Sequence, residues 1–190
     1  ANQEVTLYVN GTRVGYHAGG YTAFSMDVTP YIVAGQDNTI AADITNAHNA
    51  DIPPLSADFT FFGGFYRDNY LLRTNKKHFS TTYFGTQGII IDNNAVRQCP
   101  NGWNVTAHLT GTEGGEKVRV FVNDQWYSDT KVSKGATQCA LSVTVKEPRL
   151  WSPDDAYLYT LRFQLVDRRG KVLDEIEQRC GLRYYRFNEA

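Results

Sequence analysis

The sequence predicts an all-β chain built from two sandwich-like parts, and three observations predict it. Strand- and turn-forming residues abound, with 12 Tyr, 10 Phe, 3 Trp and 16 Gly against a single Met, a balance that suits sheets better than helices. Apolar and polar residues alternate over short runs, the period of a half-buried strand. From about residue 79 onward, turn dipeptides recur roughly every ten residues, and no helical period, heptad or internal repeat interrupts them.

Taken in order, Val5-Thr-Leu-Tyr-Val9 alternates as a strand. Asn10-Gly11 follows, the dipeptide a tight hairpin turn prefers because both positions need φ > 0, and 13–17 is the return strand. Tyr21–Val28 alternates again, with Phe24, Met26 and Val28 on one face. Thr29-Pro30-Tyr31 reads as one helical turn, with Thr29 as cap and Pro30 at the first helical position. Strands are expected at 39–45 and 66–73. Thr74-Asn-Lys-Lys77 is polar and marks a boundary, so the domains are read as 1–76 and 77–190. Beyond it, strands are expected near 79–83, 88–91, 103–110, 117–123, 138–145, 157–166, 171–179 and 182–187. They are punctuated by Asn93-Asn94, Asn101-Gly102, Gly114-Gly115, Asn123-Asp124, Lys134-Gly135 and Arg169-Gly170. That number and rhythm match an immunoglobulin-like sandwich, with Trp151 covering one end of its core. Residues 1–76 hold about five strands where a jelly roll needs about eight. The first domain is therefore expected to be the C-terminal part of a jelly roll, showing a bare strand edge and apolar surface that a second copy of the chain could cover.

The stretch 51–68 breaks the alternation. Its eighteen residues hold two Pro, two Gly, four Phe, one Tyr, one Arg and three Asp. The Pro pair stiffens an extended entry, and Gly63-Gly64 permits a positive φ or a close approach. Two readings stand. The Phe residues plug the core while the Asp residues face water, or the aromatics floor a small sugar site with a carboxylate as its polar handle.

Net charge is -1, and no basic run supports nucleic-acid binding. No apolar run is long enough to span a membrane, and the first residues do not read as a signal peptide. Cys99, Cys139 and Cys180 lack metal spacing; three reduced thiols and one bridge with a free thiol both remain open. The four His are scattered. Glu4, Glu113, Glu116, Glu147, Glu175, Glu177 and Glu189 lie in turns or beside Lys and Arg, and read as solvated charge.

Leu7-Tyr-Val-Asn-Gly-Thr-Arg-Val-Gly15 through Phe24, with Asp27-Val-Thr-Pro-Tyr31, resembles the sugar-binding domain of glycoside hydrolase family 2. Gly63-Gly-Phe-Tyr-Arg-Asp68 is similar to that domain's Gly-Gly-Ile-Tyr-Arg-Asp motif. Leu150-Trp-Ser-Pro-Asp154, Tyr157-Leu-Tyr-Thr-Leu161 and Gly181-Leu-Arg183 resemble the immunoglobulin-like domain that follows it. The resemblance implies a galactose-binding-like jelly roll, then the sandwich, then a (β/α)8 barrel carrying two catalytic glutamates, which this sequence does not contain. It implies a part of a beta-galactosidase-like enzyme that supports the barrel and lends a loop to the substrate pocket, the partner sugar being a beta-galactoside. Asp58, ten positions before Asp68, is implied to contact the sugar and a sodium ion; magnesium belongs to the barrel, and the fragment itself needs no cofactor. Asp51 and Asn46 are further candidates for substrate contact. Gly63, Gly64 and Arg67 are expected to anchor the loop. A bacterial periplasmic or extracellular setting is favoured over a cytoplasmic one. A free-standing carbohydrate-binding or adhesion module is the alternative, disfavoured because the aromatics fall within core motifs.

Overall fold

The computed structural model describes residues 2–92 and 101–183. The Asn93-Asn94 turn, Cys99, Glu189 and most of the 182–187 strand lie outside the described residues. The chain is all-β and divides into two compact units: Ala1–Leu72 with Phe84–Thr86, and Arg73–Tyr83 with Gln87–Ala190. Among the described residues no helix is long and apolar enough to cross a membrane.

The first unit carries β1 (Glu4–Val9), β2 (Thr12–Ala18) and β3 (Ile40–Thr45) in one antiparallel sheet of order β2-β1-β3. Asn10 and Gly11 turn the hairpin at φ 49° and 79°. The Asn10 side chain then ties the turn to a distant loop. Its Nδ2 donates to the Tyr31 carbonyl at 3.0 Å and to Asn38 Oδ1 at 2.8 Å, and its Oδ1 accepts the Thr39 N–H at 3.0 Å. Val5 and Val9, on one face of β1, are buried, and Ile52 is buried with them as the unit's small apolar core.

Three expectations are corrected here. The 3-10 turn Thr29–Tyr31 forms, but its N-cap is Val28, with no side-chain cap; the Thr29 N–H is taken by Asp27 Oδ1 at 2.8 Å. Tyr21–Val28 and Tyr66–Arg73 are not strands. Alternation records which face an extended chain buries, not whether a neighbour offers a hydrogen-bond ladder. Phe24 and Met26 do dock by their side chains: Phe24 stacks on His17 at 4.2 Å, and the Met26 sulfur fills the space a Cβ on Gly15 would need.

The second unit is a sandwich. One sheet runs β11 (Val172–Cys180), β10 (Tyr159–Val166), β7 (Lys117–Val122), β8 (Gln125–Lys131). In the other, β4 (His78–Phe79) and β5 (Ile89–Asp92) pair with successive parts of β6 (Gly102–Thr110), and β9 (Gln138–Thr144) pairs along its other edge. Every second residue of the central strands enters the core: Trp103, Val105, Ala107 and Leu109 from β6, Val118 and Val120 from β7, Leu161, Phe163 and Leu165 from β10. Each such side chain contributes about 1.5–3 kcal/mol by burial.

β8 is a strand the sequence reading did not place. Asn123 and Asp124 take φ 46° and 65°, the two-residue turn that returns a strand at once. Trp151 packs at the sandwich's edge, its backbone N–H donating to the Leu182 carbonyl at 2.9 Å and its ring covered by the Arg183 guanidinium at 4.8 Å. The core tryptophan is Trp103. Cys139 and Cys180 are free thiols.

Candidate functional site

The loop 46–68 leaves β3 and returns beside the N-terminus of the same unit. Polar side chains at its root hold its backbone. Asn46 Nδ2 donates to the Phe61 carbonyl at 3.0 Å, and Asn2 Nδ2 to the Phe62 carbonyl at 3.2 Å. Gln3 Nε2 donates to the Ile52 carbonyl at 2.8 Å. Glu4 Oε1 accepts from Tyr16 at 2.6 Å and from Asn49 at 3.1 Å, while Asn49 Oδ1 accepts the Asp51 N–H at 2.9 Å. The Tyr66 hydroxyl donates to the Gly20 carbonyl. Asn2 is 5% exposed, so its paired amide is a buried polar group whose loss leaves carbonyls unpaired.

The glycines have separate reasons. Gly64 stands at φ +84° with open space around it, a backbone requirement. A Cβ on Gly63 would meet the Asn46 amide carbon at 3.3 Å, a packing requirement. Arg67 departs from its expected role. Its guanidinium lies 5.7 Å from the Tyr66 ring centroid and hydrogen-bonds to no described residue. Anchoring falls instead to Asn2, Gln3, Glu4, Asn46 and Asn49. Of these, the sequence reading singled out Asn46 alone, and for sugar contact. The signal available was a polar run, Asn2-Gln-Glu4, where the first strand begins.

The reading in which the phenylalanines plug the core is overturned. Phe59, Phe62 and Phe65 are exposed, as are Leu55, Tyr70, Leu71 and Leu72; Phe61 is half-buried and meets Phe59 edge-on at 5.4 Å. Asp58 and Asp51 are exposed too, and neither carboxylate is paired with a described residue. Asn46, with Asn2, Gln3, His48, Pro54 and Phe61, lines a cleft of about 70 Å³, well short of the ~300–1,000 Å³ of ligand pockets. By itself, therefore, the loop offers a free carboxylate on an aromatic surface rather than an enclosed site.

Glu116 corrects another expectation. It is 2% exposed, not solvated. Its Oε1 sits 2.6 Å from Lys77 Nζ, which also pairs with Glu113 at 2.9 Å. Burial pushes the Glu116 carboxyl up, but the Lys77 ammonium and backbone N–H groups outweigh it and hold it below the ordinary range. Glu113 is held down by the same ammonium. A glycosidase acid needs the opposite shift, so this carboxylate pair is a structural clamp. Among the described residues no group of three or more His, Cys, Asp or Glu could hold a metal.

Comparison with known proteins then places the chain. The family model for the sugar binding domain of glycosyl hydrolases family 2 matches residues 1–75, and a further model of glycosyl hydrolases family 2 matches 91–183. The chain is 30% identical to a beta-glucuronidase of Bacteroides fragilis and 29% identical to a beta-galactosidase of Thermoanaerobacter pseudethanolicus, over 97% and 96% of its length. The crystal structure of a Bacteroides uniformis beta-glucuronidase matches 98% of the chain with a TM-score of 0.80 at 30% identity. The chain spans about a quarter of these relatives: 28%, 25% and 24% of their lengths. The chain belongs to glycosyl hydrolases family 2.

Proposed function

We propose that the chain is the non-catalytic sugar-binding and immunoglobulin-like part of an enzyme that hydrolyses O-glycosyl bonds of beta-galactosides. In this reading a (β/α)8 barrel supplies the catalytic glutamates, and the 46–68 loop lends Asp58 to its substrate pocket. The observation that carries the reading is Asp58 itself: an exposed, unpaired carboxylate on a loop whose root is fixed by five polar side chains. A carboxylate so held accepts hydrogen bonds from two sugar hydroxyls at once. The exposed aromatic surface beside it, and the outer edges of β2 and β3, are faces for the barrel to cover, with a second copy of the chain as the other candidate. Relatives are named for both beta-glucuronidase and beta-galactosidase activity, so both sugars belong in the test.

Sodium fits only in part. Asp58 can supply one hard oxygen ligand, but among the described residues no group of three or more His, Cys, Asp or Glu gathers to hold an ion.

In the enzyme that joins this chain to its barrel, Asp58→Ala is expected to lower kcat/KM on nitrophenyl beta-galactoside by about tenfold to a hundredfold, the scale of a lost hydrogen bond to a charged group. Unchanged kcat/KM on both the galactoside and the glucuronide would refute the assignment. Submillimolar galactose binding by the 190-residue chain alone would favour a free-standing module instead.

A further inference from the structure

The sandwich carries an exposed aromatic feature of its own, outside the family motifs. Trp126, the second residue of β8, is 63% exposed. Its register partner is Phe121 on β7, whose own partner on β10 is Arg162. Val118 and Val120 point into the core, so Phe121 and Arg119 lie on the outer face of the sheet. The Arg162 guanidinium covers the Phe121 ring at 4.4 Å. Trp126 Nε1 donates to Asp129 Oδ1 at 3.2 Å, and the same carboxylate holds Arg119 through both its oxygens at 3.0 and 3.4 Å. The indole is thus tethered at its polar edge while most of its surface is left to solvent.

Size and charge limit what this face can bind. Among the described residues of this sheet, the other large exposed apolar residue is Val172, at the opposite corner. One aromatic ring offers about 150–250 Å², whereas a stable protein interface takes about 800 Å² from each partner around an apolar centre. Charges of both signs meet beside the indole: Asp129 pairs with Arg119 and Lys117, and Arg162 with Asp124 and Glu175. No cluster of one sign stands there to draw an ion. The charged side chains along β8, the outer strand, also oppose strand addition.

We propose that this face is a second carbohydrate contact, in which Trp126 stacks on the C–H face of one pyranose ring of a neutral polysaccharide or oligosaccharide. The ring's partly positive hydrogens meet the negative face of the indole. Its equatorial hydroxyls then lie in the sheet plane, within reach of the Asp129–Arg119 pair. The tethered indole loses little freedom on binding. The contact lies within the second unit and uses no residue of the 46–68 loop.

The test is acrylamide quenching of tryptophan fluorescence in the 190-residue chain, with and without soluble beta-1,4-linked glucan, galactan and xylan, alongside affinity electrophoresis in the same polymers. Trp103 is buried and Trp151 half-buried, so the quencher reads mainly Trp126. At least one glycan is expected to shield the fluorescence and retard the band. Trp126→Ala should weaken retardation about fivefold, the scale of one aromatic contact. Trp126→Phe should keep part of the effect. Trp126 is a surface position, and an unchanged melting temperature establishes that the variants fold. Absence of shielding by all three glycans, or equal retardation of Trp126→Ala, overturns the proposal. So does a concentration-dependent dimer that Trp126→Ala abolishes, since the face would then be a protein contact.

Discussion

Replacing Trp103 by Phe sets two opposing terms against each other. Trp103 is 1% exposed in the sandwich core and meets Tyr159 edge-on at 5.3 Å and 73°. Its Nε1 is buried with no hydrogen-bond partner among the described residues. Trp103→Phe removes a net two buried ring carbons, roughly 1.6 kcal/mol at ~0.8 kcal/mol per carbon. It also removes the unpaired donor, whose burial costs about 1–3 kcal/mol. The two nearly cancel, so the variant should lie within about 1 kcal/mol of the parent. Trp103→Ala empties the site and should cost about 3–5 kcal/mol. Urea unfolding followed by far-ultraviolet circular dichroism measures both, with a separate transition fitted for each unit. If Trp103→Phe costs as much as Trp103→Ala, the indole N–H is satisfied in the folded chain, by water or otherwise, and the reasoning fails.

Acid should unfold the second unit through its paired carboxylates. Hydrogen bonding to Arg119 holds Asp129 below its ordinary 3.8, and Arg149 does the same for Asp155; Lys77 helps hold Glu116 below 4.5. The unfolded chain protonates these groups first, so their stabilisation is complete above about pH 5 and is lost as pH falls through 4 toward the lower folded values. Melting temperatures measured from pH 7 to 3 should fall in that window, less so for Asp129→Asn, and a rise on acidification would contradict the assignment. The thiols give a further check. Burial pushes Cys180 up to about 12 and raises Cys139 as well, and the thiolate is the form that alkylates. At pH 8 the native chain should leave both unmodified by iodoacetamide in the time that urea-unfolded chain reacts fully, as peptide mass spectrometry reads it; equal labelling of native and unfolded chain would refute it.

Most of the sandwich was legible because its central strands are half-buried, and a half-buried strand must alternate. Leu161, Phe163 and Leu165 on β10 make the case. β8 was not legible because it is an edge strand whose sequence, Gln125 to Lys131, is mostly polar. Its only marker was Asn123-Asp124, read as punctuation rather than as a return. The opposite error occurred at Tyr66–Arg73, where apolar residues mark an uncovered surface rather than a paired strand. In the loop, Asp58 came from a motif offset, while Asn49 carries no pattern and Asn2 only the polar run at the start of β1. Their role depends on which carbonyls and carboxylates the fold brings within reach. Glu116 was misread for the same reason: its partner Lys77 is 39 residues away.

The Asn10-Gly11 turn has a consequence in time. An Asn-Gly pair is where a chain ages fastest, because the glycine nitrogen can attack the asparagine side-chain carbon and expel ammonia, closing a succinimide that water then opens to aspartate or isoaspartate. In the folded unit the Asn10 carboxamide is held by three hydrogen bonds, two donated by its nitrogen and one accepted by its oxygen, and it is not free to swing toward that nitrogen. Deamidation would replace the donor with an anionic oxygen facing the Tyr31 carbonyl and Asn38 Oδ1, both acceptors. A chain that loses this ammonia while unfolded therefore refolds without the tie between its first hairpin and the 31–39 loop. The turn keeps a chemical record of the hours a molecule has spent out of its native state.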